Sequence, residues 1–412
     1  MLSCKCRCAE DDSKRLSRPV RSGAAPESPA ATVPTGLLLA LAFAVLLIPG
    51  SGVAQGSPAV TSIVGESCST CALAATRIGA LGSINDPALL TIRSHAVTDL
   101  SQRVLVAPTA EPGRFAVYHW DGSFVRLVGR SGEGPGEFRA IDRVTTGPGD
   151  SIHVFDGSRW TLFPPGAEGP AVRTTRMDGY LRGEPLFLEE GTVVWPGLLD
   201  GRMDPFHLLS SDGARVHSFG WAEDDPRPGN TVQQTRRVAP AVEPGRFWAS
   251  RVNSYRVEEW DAASGTLIRV LERTPSWFEP WEADPEGVPP TELTNPRLLD
   301  IAVDDLGRLW LLFMVPAEAR AGGRGADATP PASQRTQERH RQTSWGPEAQ
   351  ERSWDTRVEV VDPDRAVVLY AQTFAEAFNR FESAGVLYRR TEQSNGVIGI
   401  ERWTVEPVNE GG

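Results

Sequence analysis

Apolar residues along this chain fall in short runs rather than long stripes. Six times a glycine or Gly-Asp turn opens a brief β-rich segment: Gly113-Arg-Phe-Ala-Val-Tyr, Gly149-Asp-Ser-Ile-His-Val, Gly191-Thr-Val-Val-Trp, Gly245-Arg-Phe-Trp-Ala, Gly307-Arg-Leu-Trp-Leu and Gly385-Val-Leu-Tyr. Several continue through an Asp-Gly turn into a second run, as in Trp120-Asp121-Gly122 leading to Gly129 and Ser211-Asp212-Gly213 leading to Gly220. Asp-Gly marks a hairpin because both residues tolerate positive φ. Outside Gly36 to Ile48 no stretch keeps a helical period for more than about three turns. The pattern predicts a nearly all-β protein.

An internal repeat sharpens the expectation. Ala107-Pro-Thr-Ala-Glu-Pro-Gly-Arg-Phe115 returns as Ala239-Pro-Ala-Val-Glu-Pro-Gly-Arg-Phe247, with seven of nine positions identical and an offset of 132 residues, three times 44. Four-stranded propeller blades repeat at ~40–45 residues. Six turn-and-strand units, spaced 36, 42, 54, 62 and 78 residues apart, predict a six-bladed β-propeller over residues 67–412 by their count rather than their period. The run from Gly396 to Val405 ends the chain as a strand, and Ala72 to Leu81 is a strand ahead of the first unit. Ala72 to Leu81 is expected to complete the last blade and close the ring, which removes open strand edges. Ala317 to Arg352 is polar, Gly/Pro-rich and nearly free of aliphatic residues, and reads as a disordered insertion in the fifth blade. Thr274 to Asn295 and Glu223 to Gln234 are further long connections.

Composition then narrows the partners. Forty glycines and 33 prolines in 412 residues fit a turn-rich chain. Positions 1–54 hold six basic and four acidic side chains; taking them from 42 and 53 leaves 36 and 49, a net charge of −13. So acidic a body repels phosphate backbones, and nucleic acid is excluded as a partner. Lys5 and Lys14 are the only lysines, so arginine supplies every other cation; that bias reads as a GC-rich genome. A monomer is expected.

Gly36 to Ile48 is an uncharged run of thirteen residues ended by Pro49-Gly50. A membrane span needs ~20 apolar residues, so this run suits a signal-peptide core and leaves no transmembrane anchor after cleavage. Gly52-Val53-Ala54 predicts cleavage before Gln55, and 55–66 reads as a short linker. The basic residues lie far upstream of the core, which suggests a true start near Val20 or Val33. Export to the periplasm or beyond follows. Cys4, Cys6 and Cys8 fall in the leader, so the mature chain keeps only Cys68 and Cys71. Ala72 stands where covalent haem attachment would need histidine, and no second cysteine pair exists for structural zinc. A local Cys68–Cys71 disulfide is expected in an oxidising compartment.

Gly129-Arg-Ser-Gly132-Glu-Gly134-Pro135-Gly136-Glu137-Phe138 resembles the inter-blade signature of NHL-type repeats, in which a strand ending in glycine is followed by a Gly-x-Gly-Pro-Gly-Glu-Phe loop. That motif covers about ten residues and is absent after Gly220 and after Leu271. The chain also resembles exported bacterial six-bladed propellers that carry a signal peptide, a short Cys-bearing segment and degenerate NHL-like blades. The resemblance implies a ring with a central channel. It does not imply one function, since propellers host binding proteins, lyases and lactonases alike.

The candidate chemistry is sparse. An NHL-like lyase would need histidines converging on a channel metal, and His119 with His153 is the one pair that adjacent blades could bring together. A lactonase-like site would gather Asp99, Asp142, Asp300 and Asn295 around a divalent cation. Asp304-Asp305 and Asp362-Pro-Asp364 read as turn formers. The mature chain has no lysine, which excludes a lysine nucleophile or Schiff base, and no Gly-x-Ser-x-Gly elbow is present. Gly132 to Gly136 precedes no helix and reads as a structural loop, not a phosphate cradle. Trp277-Phe278-Glu-Pro-Trp281 places three aromatics on a Pro-rich connection and is the expected partner-binding patch, unless the rings cap a blade end. The sequence thus favours a non-catalytic binding or scaffold propeller for a protein, peptide or glycan of the cell envelope, with no catalytic residue and no cofactor assigned. A metal-dependent hydrolase or lyase with a channel cation is the alternative.

Overall fold

The computed structural model describes residues 60–66, 71–99, 101–188, 191–202, 204–221, 235–281, 295–317 and 354–408. Strands β1 (Val60–Ser62), β2 (Val64–Glu66) and β3 (Leu73–Leu81) come first. A sheet follows from β4 (Leu90–Thr98), β5 (Arg103–Thr109), β6 (Phe115–His119) and β7 (Phe124–Val128). β8 (Arg130–Ser131) and β9 (Glu137–Phe138) form a small parallel pair. The next sheet is β10 (Arg143–Thr146), β11 (Ile152–Asp156), β12 (Arg159–Phe163) and β13 (Arg173–Arg176). β14 (Gly179–Leu181) makes a ribbon with a later strand, while β15 (Leu186–Phe187) and β16 (Val193–Trp195) start another sheet. That ribbon partner is β17 (Gly197–Leu199), and the sheet ends with β18 (Phe206–Leu209) and β19 (Arg215–Phe219). Two further sheets are β20 (Arg236–Pro240), β21 (Arg246–Arg251), β22 (Arg256–Asp261), β23 (Thr266–Glu272) and then β24 (Arg297–Val303), β25 (Leu309–Pro316), β26 (Trp354–Asp362), β27 (Val367–Phe374). β28 (Arg380–Ser383), β29 (Val386–Glu392) and β30 (Ile398–Pro407) finish the chain's strands.

Four of these sheets stand apart as blades of four antiparallel strands, two of them extended by a parallel fifth, β1 or β2. β3 to β7 and β28 to β30 share one larger sheet, in which β30 pairs along its length with β3 but meets β4 only at Ile398 opposite Leu90. Consecutive sheets stack face to face. Phe115 and Val117 pack on Val154 and Phe163; Phe155 and Trp160 pack on Trp195 and Leu209. Phe206 meets Phe247 and Trp260, and Val257 meets Leu309 and Phe313. Trp310 and Val358 meet Leu387 and Val405, and Tyr388 and Ile400 meet Val104 and Tyr118. With neighbours on both faces, inner strands lose the alternation of a half-exposed sheet, so β6 and β25 read as continuous apolar runs. This is an all-β propeller arrangement; its helical pieces include the 3₁₀ turns Pro148–Asp150 and Pro165–Ala167.

The repeated nonapeptide does not mark a blade period. Ala107-Pro108-Thr109 ends β5, the second strand of its sheet, whereas Ala239-Pro240 ends β20, the first strand of its own. The two copies are one strand out of phase. What they share is a turn, closed in each by an Arg–Glu pair three residues apart, Arg114 with Glu111 and Arg246 with Glu243. Likewise the Gly113 run enters a third strand, while the other five glycine runs enter second strands. Gly113 is required there, because at φ +75° an added Cβ would lie 2.4 Å from the Phe138 carbonyl.

Two other expectations change, and the reading of the Gly129 to Phe138 loop stands. Residues 60–66 are no linker: β1 adds in parallel to β23 and β2 to β27, so the segment straps two neighbouring blades, with Ile63 buried between them. The loop from Gly129 to Phe138 is a structural junction, its Gly134 N–H donating to the Glu137 carboxylate at 2.9 Å. The aromatic patch is interior. Phe278 is 1% exposed and Trp281 8%; Phe278 and half-buried Trp277 pack around Phe313, and Trp281 lies under the Arg297 guanidinium. Trp281 Nε1 donates to the Pro296 carbonyl at 2.9 Å. These rings cap a blade junction and offer no partner an exposed surface. The leader and nearly all of the 317–352 insertion lie outside the described residues, as does Cys68; Cys71 is disulfide-bonded.

Candidate functional site

First strands of successive sheets meet at the propeller axis: β20 touches β24, β24 touches β28, β28 touches β4 and β4 touches β10. Their side chains are cationic to a degree that the acidic body does not foreshadow. β4 supplies Arg93 and His95, β10 Arg143, β20 Arg237, β24 Arg297 and Asp300, and β28 Arg380; Arg390 comes from β29 and Glu184 from the segment ahead of β15. Period-two alternation sends Leu298 into the core and its neighbour Arg297 toward the axis, and an irregularity between Leu298 and Asp300 re-aims the carboxylate.

Glu184 is the hub. One of its oxygens accepts from Arg143 Nε at 3.1 Å and from Arg380 Nη1. Burial alone would raise this carboxyl, but Arg143 and Arg380 pull it down to about 2. Asp300 Oδ2 accepts the Phe381 N–H at 3.0 Å, and burial holds its carboxyl above the ordinary range even though Arg380 and Arg237 oppose the shift. His95 Nε2 accepts the Val144 N–H at 3.2 Å, so the neutral ring carries its proton on Nδ1. Burial and then Arg143 push its pKa down to about 3. Among the described residues that Nδ1–H is buried without a partner.

The other axial arginines lack carboxylates. Arg237 donates to the Leu299 carbonyl at 2.6 Å and Arg390 to the Ile92 carbonyl, while Arg297 lies over the Trp281 ring. No carboxylate stands within ion-pair distance of these three or of Arg93 among the described residues. Burial holds the guanidinium of Arg237 down to about 10, and lowers Arg297 and Arg390 too. Some buried arginines off the axis are matched: Glu359 takes Arg273 and Arg357 at 2.7 Å each, and Arg402 pairs with Glu382 at 2.8 Å.

Two cavities open on this cluster. One of about 720 Å³ is lined by Arg93, His95, Arg143, Arg380 and Arg390, with Asp142 and Trp195. The other, about 430 Å³, shares Arg93, Arg380 and Arg390 and adds Arg237 and Arg297, with no acidic side chain in its wall. Val252, Leu299, Met314 and Phe378 give it an apolar side.

The sequence candidates do not assemble. His119 is exposed at the end of β6. His153 is buried in a blade, its Nδ1 accepting from Trp160 Nε1 and its Nε2 bonded to Ser151, both at 2.9 Å. Asp99 is taken by Arg103 at 2.7 Å; Asp142 lines the larger cavity but accepts the Gly157 N–H at 2.8 Å, and Asp300 lies among the axial arginines. Asp304 and Asp362 cap turns. No three His, Cys, Asp or Glu side chains converge as metal ligands among the described residues. The axial arginines carry no signal in the sequence: each is one arginine among forty, and only Arg143, Arg237, Arg297 and Arg380 stand at the head of a first strand.

No family model matches the chain, and no curated protein does. Among solved structures, a protein described as a candidate exported protein of Bacteroides fragilis aligns over 85% of this chain and all of its own, with TM-score 0.57 and 10% identity. A Myceliophthora thermophila Swd1 β-propeller domain covers 81% of this chain and all of its own at 10% identity and TM-score 0.42, and a Xanthomonas campestris gluconolactonase 80% and 98% at 11% and 0.39. Likeness at such identity extends to architecture alone; it is the stacked four-stranded sheets that make this chain a β-propeller.

Proposed function

We propose that the chain is an exported, non-catalytic six-bladed propeller that binds a ligand at its axis. On this reading the large sheet is two blades joined at a single residue pair, and β3 closes the ring as the outer strand of the last blade. The single Ile398–Leu90 contact and the separate core on each side of β28–β30 support that division. Deleting residues 72–81 should then abolish cooperative unfolding, because β30 and its blade would be left with an open edge; a sharp thermal transition retained by that variant would refute closure.

One observation carries the binding reading: arginines from separate strands converge on shared cavities without carboxylate partners, which no packing need explains. A divalent cation at this axis would be repelled by the same guanidinium groups, so the metal-dependent hydrolase or lyase is disfavoured. The ligand is a free small molecule of the envelope, or the end of a peptide or glycan. Leu299→Trp should fill the smaller cavity. Native mass spectrometry of protein purified from its own envelope should show a bound small molecule that this variant lacks, with an unchanged melting temperature. Equal occupancy in both proteins, or metal-dependent turnover of lactones, would overturn the reading.

Periplasmic or extracellular residence is part of the same proposal, supported by the leader's apolar core. Cys68 and Cys71 should then be oxidised to each other. Thiol titration of native protein should find no free thiol in the mature chain, and two would reject the pairing. So small a ring gives a model stabilisation of ~2 kcal/mol or less.

A further inference from the structure

We propose that the axial ligand is a small organic polyanion, a short carbon skeleton bearing at least two oxyanion groups, and that Glu184 is the internal carboxylate with which it competes. The inference rests on the axial cavity being the binding site and adds the chemistry of its occupant.

The smaller cavity presents five guanidinium groups and no carboxylate in its wall. Four of them, Arg93, Arg237, Arg297 and Arg390, have no carboxylate partner among the described residues, and three are drawn out of water by burial. Burying like charges without counterions is unfavourable, and evolution toward stability alone would remove them. A bound anion supplies the missing charge, and the planar guanidinium fork fits carboxylate and phosphate oxygens in pairs.

The arginines come from β4, β20, β24, β28 and β29, and so from several sides of the cavity. One oxyanion cannot reach them all, which requires at least two on one molecule. Val252, Leu299, Met314 and Phe378 would be wasted on a bare inorganic ion and suit a carbon skeleton. Volume excludes a polymer chain: about 430 Å³ sits at the small end of ligand pockets. His95 Nδ1–H, unpartnered and on the wall of the adjoining cavity, is a further donor. Glu184 already shows where an oxyanion sits, bridging Arg143 and Arg380.

The test is calorimetry on the mature chain with succinate, citrate, fructose 1,6-bisphosphate, inorganic phosphate and glucose, at fixed ionic strength. Citrate, succinate or fructose 1,6-bisphosphate should bind at least tenfold tighter than both phosphate and glucose, and which of them does so separates a carboxylate from a phosphate ligand. Arg237→Gln and Arg390→Gln should each weaken that binding at least tenfold while the ligand-free melting temperature holds or rises. Glu184→Gln should tighten it severalfold by releasing Arg143 and Arg380, an effect that a merely structural carboxylate would not produce. Organic anions that bind no better than inorganic phosphate, or binding indifferent to all three substitutions, would overturn the proposal. Glucose binding that Leu299→Trp abolishes and the arginine variants leave intact would overturn the polyanion but keep the axial site. No binding of any probe, together with equal native-ligand occupancy in Leu299→Trp, would remove both.

Discussion

Lowering the pH from 7 to 5 is expected to remove about 4 kcal/mol of folding stability, carried by His95 and His153. Burial, with Arg143 beside one ring and Arg173 beside the other, pushes both pKa values down to about 3. Unfolded, each ring titrates near 6.5. Below that value the unfolded chain binds two protons that the folded chain refuses, so stability is full above about 6.5 and is lost as the pH falls toward the folded values. At pH 5 each ring is 1.5 units below its unfolded pKa, which gives about 2 kcal/mol apiece. Glu184, which faces His95 with Arg380 and Arg390, opposes the shift and is included in it; its own loss begins only below the ordinary carboxyl range. Guanidinium unfolding at pH 7 and pH 5 measures the difference. His95→Gln and His153→Gln should each halve it, since glutamine can still accept the Val144 or Trp160 N–H and does not titrate. A full-sized loss in both variants would refute the assignment.

Truncating Phe278 or Trp281 to alanine should cost ~3–5 kcal/mol. Both rings are buried, Phe278 against Phe313 and Tyr255 and Trp281 beneath the Arg297 guanidinium, and truncation leaves a cavity that rigid neighbouring strands cannot close. Trp281→Ala also strands the Pro296 carbonyl that its indole N–H satisfies. Aromatics held for a partner would behave in the opposite way, with binding lost and stability kept. Urea denaturation decides: a midpoint unchanged by either substitution would return the patch to the surface.

Glycine turns, Asp-Gly hairpins and dense apolar runs were legible because their causes are local. Positive φ selects glycine at Gly122 and Gly213 whatever surrounds them, and a strand covered on both faces must be apolar throughout. Those features determined an all-β chain of repeated short strands, and with them a propeller. Phase was beyond their reach. The Glu-Pro-Gly-Arg turn closes a hairpin equally well after a first strand or a second, so its recurrence at 132 residues says nothing about blade register.

Sequence alone also left burial on connections undecided. Trp277, Phe278 and Trp281 look exposed because their segment is Pro-rich, yet a neighbouring blade covers them, and Val60 to Glu66 looks like a linker until two sheet edges receive it. The axis is the furthest from sequence. Arg93, Arg143, Arg237, Arg297 and Arg380 share no motif and no spacing, and only the packing of first strands brings them to common cavities. Local chemistry determined which segments are strands; the stacking of sheets decided which charges meet, because convergence depends on contacts between residues far apart in the chain.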